Sequence, residues 1–221
     1  MKIKAVLFDI DGTLVDSNDE HVAAWQTVFR DVGAHFTDRR VHDQIGKGTD
    51  MLVPTLLPDA NPADVEKMGK LHGDIFKSRY LEEIAPFRDA RALIEKVAES
   101  GREVVLASSA SGSERDHYLD LLNIRPFVAL STTSDDVEKT KPAPDIFSVA
   151  LRKLAPLTAS EVIVVGDTPY DVEAAAKCGI GAVAVRSGKF GDEALTGAGA
   201  LAIYDDVAAL LRDFEHSPLN R

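Results

Sequence analysis

The sequence is poor in cysteine and contains no long apolar run. Cys178 is its only cysteine, so no disulfide can form within the chain, and this favours a reducing compartment. The apolar run that follows the first basic residues is too short for a secretory signal and soon meets two aspartates. No other stretch approaches the length of a membrane span. We therefore expect a cytoplasmic protein with no membrane partner.

Basic side chains are also scarce. The 221 residues include 25 Lys and Arg against 36 Asp and Glu, which gives a formal net charge of -11. Proteins that bind nucleic acids or membrane surfaces in general need basic surface to meet phosphates. We therefore expect no nucleic-acid partner, and any attraction for an anionic substrate must be local. The composition leaves the oligomeric state open.

Five short runs of β-branched and aliphatic residues predict buried strands, and helical patterns lie between them. Continuous apolar runs are typical of a parallel sheet that is covered on both faces. The alternation predicts an α/β fold with a doubly wound parallel sheet. A further run at residues 200–206 can add an edge strand, and the tail of residues 216–221 is expected to fray. The five runs are residues 4–9, 103–108, 127–130, 162–167 and 182–186.

Residues 16–86 interrupt this alternation. They contain no convincing strand, but they show several amphipathic patterns in which apolar residues recur at helical spacing. The sequence therefore predicts an α-helical domain of residues 16–86 inserted into a core domain of residues 1–15 and 87–221. The two crossings between the domains form a natural hinge pair, to which we assign Asp16.

Polar groups accumulate where three of the predicted strands end. The first strand leads into Asp9 and Asp11, the second into Ser108 and Ser109, and the fourth into Asp167. In an open parallel sheet, ligands bind at the carboxyl ends of the strands. A turn or a helix cap can explain any one of these residues, but neither explains Asp9, which ends a buried strand before the turn. We expect these groups to meet at one site.

The carboxylates of this set, together with Asp171 at a helix start, would repel one another unless a cation lies among them. The available ligands are oxygen atoms, because there is no cysteine cluster and the six histidines show no metal-binding spacing. Such ligands favour Mg²⁺. Because Mg²⁺ held by few protein carboxylates usually takes a phosphate oxygen as well, the sequence predicts phosphoryl chemistry.

Phosphoryl chemistry gives each polar group a candidate role. Asp9 can attack phosphorus and form an aspartyl phosphate. Asp11, two residues further on, can protonate the leaving alcohol and later take a proton from the attacking water. Ser108, Lys141 and the amides around Asp11 and Gly12 can bind the oxygens of the transferring group.

Four stretches resemble, in order, the four motifs of the haloacid dehalogenase (HAD) superfamily. They are "DIDGT" at residues 9–13, Ser108 after "VVLA", Lys141 in "KPAPD", and "GDTPYD" at residues 166–171. The helical insertion resembles the type 1 cap of that family, so the resemblance spans nearly the whole chain. One departure is Thr140, which stands where many relatives have glycine.

The resemblance implies a Rossmann-like core and a complete catalytic set. It makes Asp9 the nucleophile and Asp11 the acid/base group, and it implies Mg²⁺ held by Asp9, Asp167 and the backbone carbonyl of Asp11. The supporting residues that it implies are Thr13, Ser108 and Lys141 at the phosphoryl group and Asp171 at the metal.

Within the family, Asp11 favours phosphoryl transfer, because dehalogenases are similar but lack this second aspartate. Phosphonatases use a lysine of the cap. Lys47 lies in the predicted cap loop of residues 45–50, but its position relative to Gly46 differs from that of the phosphonatase lysine. A sugar-phosphate mutase similar to β-phosphoglucomutase is the stronger alternative, since His21 falls where that enzyme has a cap-hinge histidine. His21 can equally face solvent or the hinge, and Thr49 stands where the mutase's arginine is expected, which favours hydrolysis.

We therefore predict a Mg²⁺-dependent phosphatase that hydrolyses a small phosphorylated metabolite of the phosphoglycolate or sugar-phosphate type. The alternatives are the mutase and, more remotely, a non-catalytic phosphate-binding or regulatory protein with the same fold. The candidate substrate-binding residues are Gly12, Ser109, His21, Gly46 and Lys47.

Overall fold

A six-stranded parallel sheet forms the centre of the protein, in a computed structural model that describes residues 2–221. The strands in chain order are β1 (Ala5–Phe8), β2 (Val15–Asp16), β3 (Ala85–Pro86), β4 (Glu103–Ala107), β5 (Val128–Thr132), β6 (Val162–Gly166), β7 (Gly181–Val185) and β8 (Ala202–Tyr204). The order across the sheet is β5-β4-β1-β6-β7-β8, and neighbouring strands are parallel. The strand that leads into Asp9 is therefore central, next to the point where the connections change direction.

Helices cover both faces of this sheet. In β1, Val6 and Phe8 belong to one hydrophobic cluster, whereas Ala5 and Leu7 belong to the other. Because both faces are buried, the strand reads as a continuous apolar run, and the predicted doubly wound α/β fold is confirmed. The helices in chain order are α1 (Asn18–Asp31), α2 (Asp38–His42), α3 (Thr49–Leu56), α4 (Pro62–Arg79), α5 (Ala90–Glu99), α6 (Gly112–Leu121), α7 (Asp145–Lys153), α8 (Pro169–Lys177), α9 (Asp192–Ala198) and α10 (Val207–Arg212).

Helices α1 to α4 pack on one another in the segment between β2 and β3. We call this helical unit the cap and the sheet with its helices the core. β2 and β3 pair antiparallel, with Val15 opposite Pro86 and Asp16 opposite Ala85. The two crossings, at which no strand was expected, thus form one ribbon whose strands are too short to show a sequence pattern. Within residues 2–221, no helix combines the length and apolar character needed to span a bilayer.

The carboxyl-terminal tail is packed against the core, so the expectation that it frays was wrong. Leu219 is fully buried. The amide of Ile3 donates to the carbonyl oxygen of Arg221 at 2.7 Å, and Arg102 donates to the side-chain oxygen of Asn220 at 2.7 Å. The composition of the tail suggested a solvated end, but one leucine and two polar anchors hold it.

Candidate active site

Asp9 lies directly after β1, in a cluster of buried charges. Its amide donates to the carbonyl of Val165 in the neighbouring strand at 2.9 Å, which fixes the backbone of the residue. Lys141 places its ammonium nitrogen 2.8 Å from Asp9 Oδ1 and 2.6 Å from Asp171 Oδ1. Ligand oxygens of Asp9, Asp167 and Asp171 lie within 4.8 Å of one another. Among the described residues, Lys141 is the only cation within ion-pair distance of Asp9 and Asp171, and none lies within that distance of Asp167.

Burial and the neighbouring charges together shift the pKa values of Asp9 and Asp167. Burial raises the pKa of Asp9 to about 7, with Asp171 and Asp11 adding to the effect and Lys141 opposing it. Burial, followed by the charges of Asp171 and Asp9, raises the pKa of Asp167 well above its usual value. The carboxyl groups of Asp9 and Asp167 therefore resist ionisation, first because burial disfavours their charged forms and second because neighbouring carboxylates repel them.

The surroundings of Asp167 fit a small, hard cation. Thr13 donates to its Oδ1 at 2.9 Å and Asn18 donates to its Oδ2 at 3.1 Å. Gly12, at φ +73°, and Gly188 approach so closely that a Cβ on either would lie 2.2 or 1.9 Å from Asp167 Oδ2. The side-chain oxygen of Asn18 is buried and has no hydrogen-bond partner among the described residues. Three carboxylates with surplus charge and a free amide oxygen form a donor set suited to Mg²⁺.

Asp11 occupies a different environment, and its carboxylate does not join this cluster. Its Oδ1 accepts hydrogen bonds from Ser17 at 2.7 Å and from Tyr118 at 2.9 Å, and lies 3.2 Å from His21 Nε2. Burial opposes ionisation of Asp11, but His21 and the two hydroxyls outweigh it and lower the pKa of Asp11. Conversely, Asp11 outweighs the effect of burial on His21 and raises the pKa of the imidazole. The two residues form a charge pair between core and cap.

His21 therefore faces the site and not solvent. Its ring stacks on Phe76 of α4, with the ring centroids 3.8 Å apart, and its Nδ1 lies 3.3 Å from His72 Nε2. The ring of His72 in turn stacks on Trp25 with the centroids 4.3 Å apart. Burial, followed by the charge of His21, lowers the pKa of His72 well below its usual value, which suits a neutral neighbour for a charged His21.

A cavity of about 410 Å³ lies between core and cap above these groups. Its core side includes Asp9, Asp11, Ser108, Ser109 and Glu114. Ser108 is buried, and its hydroxyl accepts from the amide of Ala110 at 3.1 Å. The cap side includes His21, Trp25, Gly46, Lys47, Lys70, His72, Gly73 and Lys77. Two carboxylates with different environments thus face a space large enough for a small metabolite.

The loop before α3 brings the cap down onto the core. Gly46, at φ +96°, lies so close that a Cβ there would be 2.6 Å from the methyl group of Thr168. The amide of Gly48 donates to Thr140 Oγ1 at 2.9 Å, and the amide and hydroxyl of Thr140 both donate to Asp50. Thr140, the departure from the family pattern, is therefore a contact point between the cap loop and the segment that carries Lys141.

Two of the candidate substrate-binding residues, Gly12 and Lys47, make contacts within the protein, and their role in substrate binding stays a prediction. Gly12 lies outside the cavity lining. Its amide donates to the carbonyl of Val15 at 2.9 Å and closes the turn. Lys47 borders the cavity, but its nitrogen donates to Gln44 at 2.6 Å and sits 4.6 Å above the ring centroid of Tyr170. Burial lowers the pKa of Lys47.

Four residues at the site had no place in the sequence analysis. Ser17 and Asn18 follow the ribbon at the start of α1, where a strand-end pattern gives no signal. His72 and Tyr118 lie far along the chain, and no local pattern connects them to the first strand. The separation of 107 positions between Tyr118 and Asp11 makes this contact visible only in the folded chain.

The family described as haloacid dehalogenase-like hydrolase matches the chain over residues 6–185. The chain belongs to this family. A phosphoglycolate phosphatase of Aquifex aeolicus is 25% identical over 182 residues, 80% of this chain and 82% of the relative. A pyrophosphatase, PpaX, of Oceanobacillus iheyensis is 24% identical over 189 residues, 84% of each protein. The crystal structure of a hydrolase from Pseudomonas syringae matches with a TM-score of 0.90 and 27% identity, over 97% of this chain and 98% of that one. The predicted family and its hydrolase class are confirmed.

Proposed function

We propose that this protein is a Mg²⁺-dependent phosphatase that hydrolyses a small phosphorylated metabolite through an aspartyl phosphate on Asp9. The observation that carries the proposal is the contrast between two carboxylates two residues apart. Asp9 lies in a buried cluster with surplus negative charge, whereas Asp11 is held apart by hydrogen bonds to a single oxygen. A nucleophile and a proton-transfer group need separate environments of this kind.

The first half of the reaction transfers the phosphoryl group to Asp9. The rigid strand end orients the carboxylate toward phosphorus, and Lys141 and Ser108 bind phosphoryl oxygens as the bond to the leaving oxygen breaks. Asp11 protonates the leaving alcohol. The negative charge of the bound phosphoryl group raises the pKa of Asp11 above its value in the free site, which allows this carboxyl to carry the proton.

The second half releases phosphate from Asp9. Water attacks phosphorus, and Asp11, now ionised, takes its proton. The pKa of Asp11 in the free site is low because His21, Ser17 and Tyr118 stabilise the carboxylate against the effect of burial, so Asp11 is ionised at neutral pH and can accept a proton. The contacts of Gly46 and Thr140 with the opposite domain keep bulk water out while the leaving group is present.

Asp9, Asp167 and the backbone carbonyl of Asp11 would hold Mg²⁺, with Asp171 supporting the arrangement. When bound, Mg²⁺ neutralises the charge of the cluster and of the phosphoryl oxygens. Lys141 pairs with Asp9 and Asp171 only, so the three carboxylates need a further positive charge. The proposal therefore includes a dependence of activity on the divalent cation.

The cap side of the cavity supports an anionic, small substrate. Three lysines, Lys47, Lys70 and Lys77, border the cavity on the cap side against one carboxylate, Asp74, although the chain as a whole carries a formal net charge of -11. This is the local attraction that an acidic protein needs for an anion. We infer a substrate of the phosphoglycolate or sugar-phosphate type, consistent with the phosphoglycolate phosphatase among the relatives.

The test is phosphate release by the purified protein with Mg²⁺, measured as kcat/KM on p-nitrophenyl phosphate and on a panel of phosphorylated metabolites. We expect chelation to abolish the release and Asp9→Asn to lower it by a factor on the order of 10³ or more, because no nucleophile remains. The matched control is Asp59→Asn, at an exposed cap residue, which should keep wild-type activity. Near-normal activity of Asp9→Asn would refute the proposal.

A sugar-phosphate mutase is the second candidate, and the contact between His21 and Asp11 is the observation that favours it. A group on the cap that contacts the acid/base residue can control whether the intermediate meets water or a second hydroxyl. Incubation with β-glucose 1-phosphate separates the two functions. The phosphatase proposal predicts free phosphate, whereas accumulation of glucose 6-phosphate would replace it with the mutase.

A further inference from the structure

Tyr118 is a buried core residue that reaches the acid/base group. It lies on α6 and has no exposed surface. Its hydroxyl donates to Asp11 Oδ1 at 2.9 Å. The start of α6 is fixed by a capping box in which Ser111 and Glu114 exchange hydrogen bonds. Tyr118 follows Glu114 by about one helical turn, so the helix start sets the position of the phenol.

The hydrogen bonds around Asp11 are one-sided. Ser17, His21 and Tyr118 all lie against Oδ1, and within residues 2–221 no hydrogen bond reaches Oδ2. Asp11 also borders the cavity. Holding one oxygen in this way fixes the rotation of the carboxyl group and leaves the other oxygen available for proton transfer.

The three partners belong to different parts of the fold. Ser17 follows the ribbon, and His21 lies on cap helix α1. Tyr118 alone among the three comes from the core helices, so its bond to Asp11 does not depend on the position of the cap. The ring of Tyr118 belongs to the hydrophobic cluster that includes Phe8 and Val22, which limits access of competing water to the phenol oxygen.

We propose that Tyr118 is a positioning residue that anchors Oδ1 of Asp11 from the core, so that Oδ2 faces the leaving-group oxygen. This inference rests on the proposed function, in which Asp11 protonates the leaving alcohol. Loss of the phenol oxygen lets the carboxyl group rotate, and the proton then reaches the leaving oxygen less often. The defect is greatest for substrates whose leaving group needs a proton.

The experiment compares two esters in wild type and Tyr118→Phe with Mg²⁺. An alkyl phosphate, such as 2-phosphoglycolate or glycerol phosphate, needs a protonated leaving group, whereas p-nitrophenolate leaves from p-nitrophenyl phosphate without one. kcat/KM reports the steps up to loss of the leaving group, so the later hydrolysis of the aspartyl phosphate does not mask the difference. We expect a roughly 10- to 100-fold loss on the alkyl ester, within the range of general acid catalysis, and at most about a 3-fold loss on the aryl ester.

The matched control is Tyr204→Phe, which removes a hydroxyl that donates to Asp213 at 2.8 Å near the sheet edge and should leave both esters unaffected. Tyr118→Phe retains the ring, so we expect this variant to fold. Thermal unfolding checks that it does. An equal loss on both esters, or no loss on either, overturns the inference while the phosphatase function stands. If wild type hydrolyses neither these esters nor any of the metabolite panel, the proposed function fails and this inference falls with it.

Discussion

At the carboxyl ends of the strands, Asp9, Asp167 and Asp171 are almost entirely removed from solvent, and the one lysine among them pairs with Asp9 and Asp171. At the amino ends of the same sheet, two strands are joined by an exposed ion pair. Lys4, before β1, pairs with Glu161, before β6, at 2.6 Å, and the lysine side chain is 54% exposed. Both ends are formed by the same central strands. The end that faces the cap gathers three buried carboxylates around one lysine, whereas the amino end buries one arginine, Arg102, which donates to Asn220.

The carboxyl ends of the strands therefore serve ligand binding, whereas their amino ends contribute to the stability of the fold. Buried carboxylates without matching cations disfavour the folded state, and they remain because ligands meet at that end. The amino end holds the tail instead, through Leu219 and the bond between Ile3 and Arg221. Changes at the amino end should therefore alter unfolding without altering catalysis. Changes at the carboxyl end should alter catalysis, and removal of a buried carboxylate there should stabilise the metal-free protein.

The largest effect is expected from Leu219→Ala at the amino end. Leu219 is fully buried, and truncation of a buried leucine lowers the free energy of unfolding by about 2–5 kcal/mol. The site is at the opposite end of the sheet, so kcat/KM of the folded variant should stay at the wild-type value. Urea unfolding gives the free energy, and phosphate release gives the activity.

The same substitution at an exposed leucine provides the control. Leu201 is 56% exposed, so Leu201→Ala should change the free energy of unfolding by no more than about 0.5 kcal/mol. A several-fold fall in kcat/KM for folded Leu219→Ala would show that the two ends are coupled, and the comparison would no longer hold.

Asp167→Asn is expected to stabilise the metal-free protein. In the folded state Asp9 keeps its proton up to about pH 7 and the pKa of Asp167 is also raised, whereas both groups ionise near their usual values in the unfolded chain. The unfolded state then binds fewer protons, so stability falls as pH rises from about 4 toward 7. Removing one carboxyl should raise the free energy of unfolding at pH 8 in chelator by about 1–4 kcal/mol.

Mg²⁺ gives this prediction a second readout. It should raise the Tm of wild type and have a much smaller effect on Asp167→Asn, because a ligand is missing. Asn18 can turn its amide so that its free oxygen accepts from the new side chain, which keeps the packing intact. Asp59→Asn is the control and should respond to Mg²⁺ as wild type does. A lower Tm of Asp167→Asn in chelator would mean that the acidic cluster does not carry surplus charge.

Features that depend on local sequence patterns could be predicted, whereas contacts between distant segments could not. The apolar strand runs and the acidic residues that follow them are local patterns. The sheet, and the positions of Asp9 and Asp167 at the carboxyl ends of its strands, could therefore be predicted. Tyr118 and His72 reach the site through packing between helices, which leaves no pattern near Asp11. The tail was wrongly expected to fray, because a single leucine between polar residues gives too little periodicity to indicate burial.

The smallest effect is expected from Glu161→Gln at the amino end. The hydrogen bond from Lys4 contributes most to lowering the pKa of Glu161 to about 2, and hydrogen bonds from Thr158 add to the effect. Because the carboxylate of the unfolded chain titrates near 4.5, the ion pair stabilises the protein above that pH, and this contribution is lost as pH falls from about 4.5 to about 2.

Wild type should therefore have a slightly higher Tm than Glu161→Gln at pH 7, and the difference should disappear as pH approaches 2. Added salt should also shrink it, since the lysine is exposed and the pair is screened. The control Glu66→Gln, at an exposed cap residue, should show no such pH-dependent difference. If Glu161→Gln destabilised the protein as strongly as Leu219→Ala does, surface charge would contribute as much to stability at the amino end as packing does. The contrast with the buried cluster would then lie in the sign of the charge effect and not in its size.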